Sequence, residues 1–275
     1  MIILQTTNGK IDVLMLCNGS ATDLPSQGPE LASMFCTIDS YDNHGEMSNY
    51  FAAMNEATTK GGTLSVIATG WDPGIFSINR VLFESFLADG TTNFFYGPGV
   101  SQGHSEAVRA VDGVKKGVQY TIPVDENLQK VQNGEILDLT PREKQLRHCV
   151  IVAEEGADKG VIEKTIKEMP NYFEPYNTIV DFVDEEEFIK NHSSMPHGGF
   201  VIRTGFTGAE RNPETMEFSL KLAKNPEFTA SAMLPYARAA KRMYDNGDRG
   251  AKTVFDIAPA LLSPKSHSEL VKELL

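Results

Sequence analysis

Residues 11–20 have the sequence IDVLMLCNGS, a short apolar run followed at once by a polar turn that contains glycine. The same arrangement returns in residues 36–44, CTIDSYDNH, and in residues 63–74, TLSVIATGWDPG. Amphipathic stretches around residues 29–35 and 48–60 separate these runs. Short apolar strands that alternate with helices are typical of a parallel sheet covered by helices. We therefore predict an α/β fold with a Rossmann-type doubly wound sheet.

The polar turns follow directly after the predicted strands. They are Asn18-Gly19-Ser20, Tyr41-Asp42-Asn43-His44 and the segment 69–74, TGWDPG. Ligands of open α/β sheets bind at the carboxyl ends of the strands. These turns are therefore the predicted ligand-binding edge of the sheet.

From about residue 71 the pattern changes to longer segments rich in β-branched and aromatic residues, which indicates a mixed sheet of α+β type. We predict strands at 93–96, 117–122, 147–153, 178–183, 200–204 and 217–222, and helices at 105–111, 126–131 and 159–169. A long helix over 227–246 begins the last segment. The predicted domains are 1–70 and 71–226, with a C-terminal segment 227–275 that packs back on the first domain.

The composition limits the class of ligand. The chain of 275 residues has 25 Lys+Arg and 37 Asp+Glu, a formal charge of −12. Such a surface repels phosphate backbones and anionic membranes, so we expect no nucleic-acid partner and no membrane association. No apolar run approaches the ~18 residues of a membrane span. Three cysteines without a Cys-x-x-Cys pair indicate reduced thiols, and we expect a cytoplasmic protein.

The first predicted domain does not contain the G-x-G-x-x-G turn of dinucleotide-binding folds. Residues 97–103, GPGVSQG, have the wrong final spacing and lie in the second predicted domain. The chain therefore corresponds to a truncated doubly wound sheet, whose first strand would be an unprotected apolar edge. The Asn8-Gly9 pair predicts a hairpin that folds residues 2–7 back on this edge.

Asp42 and Asp72 end the second and third strand-turn segments, and two carboxylates there could bind a substrate ammonium group. Capping of the following turn or helix is an equally good interpretation of each. Trp71 is the only tryptophan of the chain. It could line a ligand pocket, although structural packing is at least as common.

Arg147, His197 and Thr121 together suit a carboxylate, because they supply a bidentate fork, a switchable cation and a hydroxyl. A strand arginine is more often a surface salt-bridge partner. We predict no metal, since His192 and His197 have no third ligand nearby. A hydrolase is a remote option, because neither Ser20 nor Cys17 lies in a G-x-S-x-G turn.

Several of these segments resemble one enzyme family in their order along the chain. They are DVLMLCNGSATD (12–23), YDNH (41–44), TGWDPG (69–74), FSINRV (76–81), GPG (97–99), SQGHS (101–105), MPHGG (195–199), NP (225–226) and FTAS (228–231). The family is that of the meso-diaminopimelate dehydrogenases, NADP-dependent enzymes of bacterial lysine metabolism. The family's N-terminal unit, with its glycine turn and basic residues for the 2′-phosphate, has no counterpart in this sequence.

The resemblance implies roles for the domains and for individual residues. Residues 1–70 would be a partial dinucleotide-binding domain, and 71–226 the substrate-binding and dimerisation domain of a homodimer. The residues implied along NADP are Cys17, Asn18, Gly19, Ser20, Ser40, Tyr41, Asp42, Thr69, Gly70, Trp71, Asp72 and Pro73. Those implied around diaminopimelate are Asp42, Asp72, Tyr96, Gln102, Gly103, Thr121, Arg147, His197 and Asn225, with Asp42 and Asp72 also the candidate catalytic residues. Tyr96 stands where the family often has tryptophan.

The implied reaction is reversible oxidative deamination of the D-centre of meso-2,6-diaminopimelate to L-2-amino-6-oxopimelate and ammonia, with hydride transfer to NADP⁺. The alternative is a catalytically impaired homologue that keeps the substrate pocket and dimer surface but does not bind the dinucleotide.

Overall fold

A computed structural model of the protein describes residues 10–20, 22–170 and 172–275. The hairpin predicted at Asn8-Gly9 lies outside the described residues. The chain divides into two compact units. The first comprises Met1–Ile78 with Glu227–Leu275, and the second comprises Asn79–Pro226. Each unit has its own sheets and its own core.

A four-stranded parallel sheet forms the centre of the first unit. Its strands are β1 (Leu14–Leu16), β2 (Thr37–Asp39), β3 (Leu64–Ile67) and β11 (Gly250–Thr253), in the order β1-β2-β3-β11. The three strands predicted before residue 70 are thus confirmed, as is the α/β class. Nothing in the sequence pattern predicts β11, because Gly250–Thr253 contains no apolar run.

Helices connect or follow these strands. They are Leu24–Ala32, Met47–Gly61, Ile75–Phe86, Asn225–Asp245, Pro259–Leu262 and His267–Leu274, with short 3₁₀ turns at His44–Glu46 and Val254–Asp256. The helix predicted at 29–35 is wrong in its start, since the observed helix begins at Leu24 with a proline in its first turn and Pro29 inside it. Proline is tolerated in a first helical turn, where its missing N–H would have no partner.

Side chains of the strands point alternately to the two faces of this sheet, and helices pack on both faces. Met15 and Ile38 pack on one face against Tyr236 and Ala240 of the long helix Asn225–Asp245. Leu16 lies in the core of the opposite face, together with residues of the helices Leu24–Ala32 and Met47–Gly61. Helices cover both faces, which is why most residues of these strands are buried.

The second unit contains two sheets. One is antiparallel, in the order β10-β9-β4, and is formed by β4 (Gly90–Tyr96), β9 (His197–Thr207) and β10 (Asn212–Leu222). The other has the order β5-β6-β7-β8, with β5 (Gly99–Val100), β6 (Val114–Pro123), β7 (Gln145–Ala153) and β8 (Asn177–Phe182). In this second sheet β7 and β8 pair in parallel, and the other neighbouring strands pair antiparallel. The predicted mixed-sheet character is confirmed, although the strands divide between two sheets.

The helices of this unit are Gln102–Arg109, Asp125–Gln132, Pro141–Lys144, Lys159–Lys167 and Glu185–Asn191. Over the part of the chain that the structure describes, no helix has both the length and the apolar character that crossing a bilayer requires.

The core of the first unit makes a stability prediction. Ile38 is 0% exposed in β2, so Ile38→Ala should lower the free energy of unfolding by about 2–5 kcal/mol. Urea unfolding followed by circular dichroism measures this loss. The matched control is Ile189→Ala, because Ile189 is 56% exposed and its truncation should change stability by less than about 0.5 kcal/mol. Equal losses in both variants would contradict the described core.

Candidate functional site

Hydrogen bonds join the turns that follow β1, β2 and β3. Ser20 Oγ, after β1, accepts a hydrogen bond from the backbone N of Asp42, after β2, at 3.2 Å. The backbone O of Asp39 accepts from the backbone N and Oγ1 of Thr69, after β3, at 2.9 and 2.7 Å. The three turns predicted as a ligand-binding edge are therefore linked to one another by hydrogen bonds, and together they form one layer at the carboxyl ends of the strands.

Asp39 is a buried carboxylate in this layer that the sequence does not single out. Its Oδ1 accepts hydrogen bonds from the backbone N of Tyr41 and of Ala68, at 3.0 and 3.2 Å. Its Oδ2 accepts from the Tyr50 hydroxyl at 2.9 Å. Burial raises the pKa of Asp39 to about 6, and the hydrogen bonds oppose this rise.

The third turn is closely packed. A Cβ at Gly74 would lie 1.9 Å from the carbonyl oxygen of Gly70, and Gly74 has φ 137°, so only glycine fits there. Trp71 is buried, and its ring meets the edge of Phe76 with centroids 5.1 Å apart. The packing interpretation of Trp71 is therefore confirmed, and its place along a cofactor stays a prediction.

The predicted cofactor residues differ in exposure. Cys17, Asn18, Gly19 and Asp42 are exposed, Ser20, Ser40 and Asp72 are half-buried, and Tyr41, Thr69, Gly70 and Pro73 are buried. Tyr41 stacks on Tyr50 at 4.0 Å between ring centroids. The buried members support the turns, and the exposed ones form their outer surface.

A buried arginine is the main feature of the second unit. Arg147 in β7 lies opposite Thr121 in β6, and its Nη1 donates a hydrogen bond to Thr121 Oγ1. Its guanidinium carbon lies 4.0 Å from the ring centroid of Tyr176, in cation–π geometry. Arg147 is only 5% exposed, so the alternative of a surface salt-bridge partner is wrong. Among the described residues, none accepts a hydrogen bond from its Nε, which fits an arginine that awaits an anionic ligand.

Two histidines share the electrostatic field of Arg147. Burial, with a smaller contribution from the Arg147 charge, lowers the pKa of His197 to about 4 and that of His104 to about 3. His104 Nδ1 is 2.8 Å from Ser101 Oγ. Both rings are therefore neutral at pH 7. In this environment Arg147 supplies the charge of the cluster, and the role of His197 toward a substrate carboxylate stays a prediction.

The remaining predicted residues of this unit lie on neighbouring segments. Gln102 Nε2 is 3.5 Å from Met195 Sδ, and Asn225 N donates to the Met195 carbonyl at 2.9 Å. Gly103 is exposed in the first turn of the helix Gln102–Arg109. Tyr96 N donates to Gln145 Oε1 at 3.2 Å, and Tyr96 adds to the electrostatic surroundings of Arg147. Tyr176 and His104 belong to the same cluster, and no sequence motif assigned either of them a role.

His192, the other histidine weighed as a metal ligand, contacts a tyrosine. Its Nδ1 is 2.8 Å from the Tyr120 hydroxyl. Within the described ranges, no group of three His, Cys, Asp or Glu side chains is arranged to hold a metal ion.

Comparison with known proteins places the chain in a family. Residues 70–224 match the family model described as the diaminopimelic acid dehydrogenase C-terminal domain. The chain is 56% identical over 265 residues to the meso-diaminopimelate D-dehydrogenase of Lysinibacillus sphaericus, an alignment that covers 96% of this chain and 81% of the relative. The chain belongs to the diaminopimelate dehydrogenase family.

Solved structures of diaminopimelate dehydrogenases and of a related engineered enzyme resemble the chain closely. The Corynebacterium glutamicum DAP dehydrogenase in complex with DAP is 46% identical, with a TM-score of 0.93, over 99% of this chain and 85% of that one. An engineered D-amino acid dehydrogenase bound to NADP⁺ is 44% identical, with a TM-score of 0.89, over 100% and 85%. The comparisons do not confirm the prediction that the protein lacks the family's N-terminal glycine-rich unit.

The cluster around Arg147 predicts a titration effect in this family member. Burial is the main reason why the pKa of His197 is lowered, and the Arg147 charge lowers it further, so Arg147→Met should raise this pKa only in part, whereas Arg147→Lys should leave it unchanged. Long-range ¹H–¹⁵N NMR of the imidazole rings measures both, with the exposed His267 as internal reference. Identical His197 titrations in wild type and Arg147→Met would show that the two side chains do not interact.

Proposed function

We propose that the protein catalyses the reversible NADP-dependent oxidative deamination of the D-centre of meso-2,6-diaminopimelate, which yields L-2-amino-6-oxopimelate and ammonia. The observation that carries the proposal is the buried Arg147, paired with Thr121, in a chain that aligns with a meso-diaminopimelate D-dehydrogenase over 96% of its length. No acidic side chain of the described residues acts on Arg147, and a buried guanidinium of this kind is a strong carboxylate receptor.

Arg147 would bind one substrate carboxylate. Its Nη1 is fixed by Thr121 and its face by Tyr176, which leaves Nε to donate to the anion. The neutral His197 adds a hydrogen bond without a second charge. We place Gln102, Gly103, Asn225 and Tyr96 around the same substrate, as orienting groups that distinguish its two ends. Misplacement of a charged end would leave buried polar groups unpaired, at about 1–3 kcal/mol for each group.

Asp42 and Asp72 would bind the ammonium group of the reacting centre. That group must lose a proton before its carbon can release hydride. An aspartate is a weak base toward an amine, since its ordinary pKa of ~3.9 lies far below that of an alkylammonium. We therefore assign Asp42 and Asp72 to binding and orienting the ammonium, with the proton passing to water.

NADP⁺, when bound, supplies the hydride acceptor. Residues 17–23, 40–46 and 68–74 contain no lysine or arginine, so these turns suit the nicotinamide and its ribose rather than the phosphates. The linked turns offer hydroxyl, amide and backbone groups for that purpose. The proposed cofactor residues are Cys17, Asn18, Gly19, Ser20, Ser40, Tyr41, Asp42, Thr69, Gly70, Trp71, Asp72 and Pro73.

The impaired homologue is the second candidate, and identities of 48–56% to curated dehydrogenases over at least 95% of the chain disfavour it. We also propose a homodimer whose contacts involve the second unit, and a cytoplasmic location.

The direct test is NADPH formation, followed by absorbance, when the purified protein meets NADP⁺ and meso-diaminopimelate. We expect turnover with the meso isomer and none with the LL isomer, which has no D-centre. NADPH titration followed by fluorescence, together with size-exclusion chromatography with light scattering, tests cofactor binding and the dimer. Tight substrate binding without NADPH binding would favour the impaired homologue.

Substitutions should separate the two ends of the substrate. Arg147→Met should raise the KM for diaminopimelate by about 10- to 100-fold, the loss of one charged hydrogen bond. Asp72→Asn should instead lower kcat by about 100-fold with little change in thermal stability. The matched control is Arg211→Met, because Arg211 is exposed and pairs with Asp89 and the Phe206 ring at the surface. An unchanged KM in Arg147→Met would make that residue structural.

A further inference from the structure

We infer that Asp39 is a positioning residue for the proposed reaction, because its carboxylate holds together the two turns that carry Asp42 and Asp72. The inference rests on the proposed function, since it assigns to Asp39 the geometry of the groups that bind ammonium and cofactor there. Asp39 itself is 0% exposed, so it cannot contact substrate and acts through its neighbours.

One oxygen of Asp39 fixes both turns. Oδ1 accepts from the backbone N of Tyr41, which directly precedes Asp42, and from the backbone N of Ala68, four residues before Asp72. The main-chain oxygen of Asp39 accepts from Thr69 as well. Two segments that lie far apart in sequence thus converge on a single residue at the end of β2.

Ala68 shows why such a bond is needed. Its φ is 59°, in the left-handed region, which is unfavourable for a residue with a Cβ. The chain turns at this residue out of β3 and into the segment with Thr69, Gly70 and Trp71. The Asp39 carboxylate accepts the hydrogen bond of the Ala68 amide in this conformation, and so it stabilises the unusual turn.

The second oxygen anchors the carboxylate itself. Oδ2 accepts from the Tyr50 hydroxyl of the helix Met47–Gly61, and the Tyr50 ring stacks on Tyr41. Gly28 makes room for this phenol, because a Cβ at Gly28 would lie 2.4 Å from the Tyr50 oxygen. The Tyr50 hydroxyl therefore fixes the rotamer of Asp39, and this keeps Oδ1 in place to accept from the backbones of both turns.

The charge of Asp39 is costly for the fold. The donors that oppose the rise of its pKa are Tyr41 N, Ala68 N and the Tyr50 hydroxyl, and no basic side chain contributes to its pKa. Tyr41 and Tyr50 are titratable groups beside it, one from its own turn and one from the helix. Burial raises the pKa of both, and the Asp39 charge adds to this rise. A neutral residue would fill this place at lower cost if stability alone were served.

Asp39→Asn tests the role because it changes the charge and one oxygen while keeping the shape. The single amide oxygen can accept either from the Tyr41 and Ala68 backbones or from the Tyr50 hydroxyl, but not from both sides, because the amide nitrogen only donates. The variant therefore loses the simultaneous contact with the helix and with the two turns. Between the unfolded pKa of ~3.9 and the folded pKa of about 6, the folded wild type binds a proton that the unfolded chain has lost, so its stability falls as pH rises. Asp39→Asn lacks this fall, and its stability relative to wild type should rise between pH 4 and pH 7.

We expect Asp39→Asn to bind NADPH at least about 10-fold more weakly and to lose at least about 10-fold in kcat/KM, a change of about 1.4 kcal/mol, while it remains folded at pH 7. Its backbone amide NMR shifts should change in residues 40–42 and 68–72. Tyr50→Phe should cause a smaller loss of the same kind, and should move the acid limb of kcat/KM to higher pH because the carboxylate has one donor fewer.

The matched control is Thr58→Val. Thr58 is a buried residue of the same helix as Tyr50, and its hydroxyl bonds to the Met54 and Asn55 carbonyls of that helix. It should lower stability without a change in NADPH affinity. Unchanged NADPH affinity and kcat/KM in Asp39→Asn, with or without a loss of stability, would overturn the inference. A wild type without turnover would refute the proposed function instead, since the amide shifts report on Asp39 independently of activity.

Discussion

A single hydrogen-bond acceptor, Oδ1 of Asp39, lies where the chain leaves two neighbouring strands of the parallel sheet. Parallel strands bring their carboxyl ends to one edge, but the turns beyond that edge have no ladder to fix them. In this protein their backbone N–H groups are satisfied by one buried side chain and by the main-chain oxygen of the same residue. The exposed groups of the turns therefore share a defined geometry, which a functional edge of loops requires.

The second unit also contains a buried charged side chain, the guanidinium of Arg147, and its charge is positive. Arg147 is placed by a strand register that puts it beside Thr121, and the Tyr176 ring covers its guanidinium face. The protein carries a formal charge of −12, so a local cation is the way in which it can attract an anion. Keeping His104 and His197 neutral leaves that charge fixed across the physiological pH range.

The sequence was most informative where one local pattern decides the structure. The runs that form β1, β2 and β3 are buried because helices cover both faces of the sheet, and the turns that follow them carry exposed polar residues such as Asn18 and Asp42. The helix Leu24–Ala32 was misplaced because its prolines resemble helix breakers. Asp39 could not be predicted, since its partners Tyr50 and Ala68 are 11 and 29 residues away. The burial of Arg147 depends on Thr121 in another strand, so spacing favoured the wrong, exposed alternative.

The first unit is built from two separate parts of the chain. Its strands β3 and β11 pair with each other, although the whole of the second unit lies between them in the sequence. During synthesis on the ribosome, residues 79–226 emerge as an uninterrupted stretch before β11 exists. The sheet of the first unit must wait, with one side of β3 unpaired, until almost the entire polypeptide has been translated. The second unit should therefore fold first on the ribosome, and the first unit, which contains the N-terminal strands, should complete its folding last, in the reverse of the usual N-to-C order.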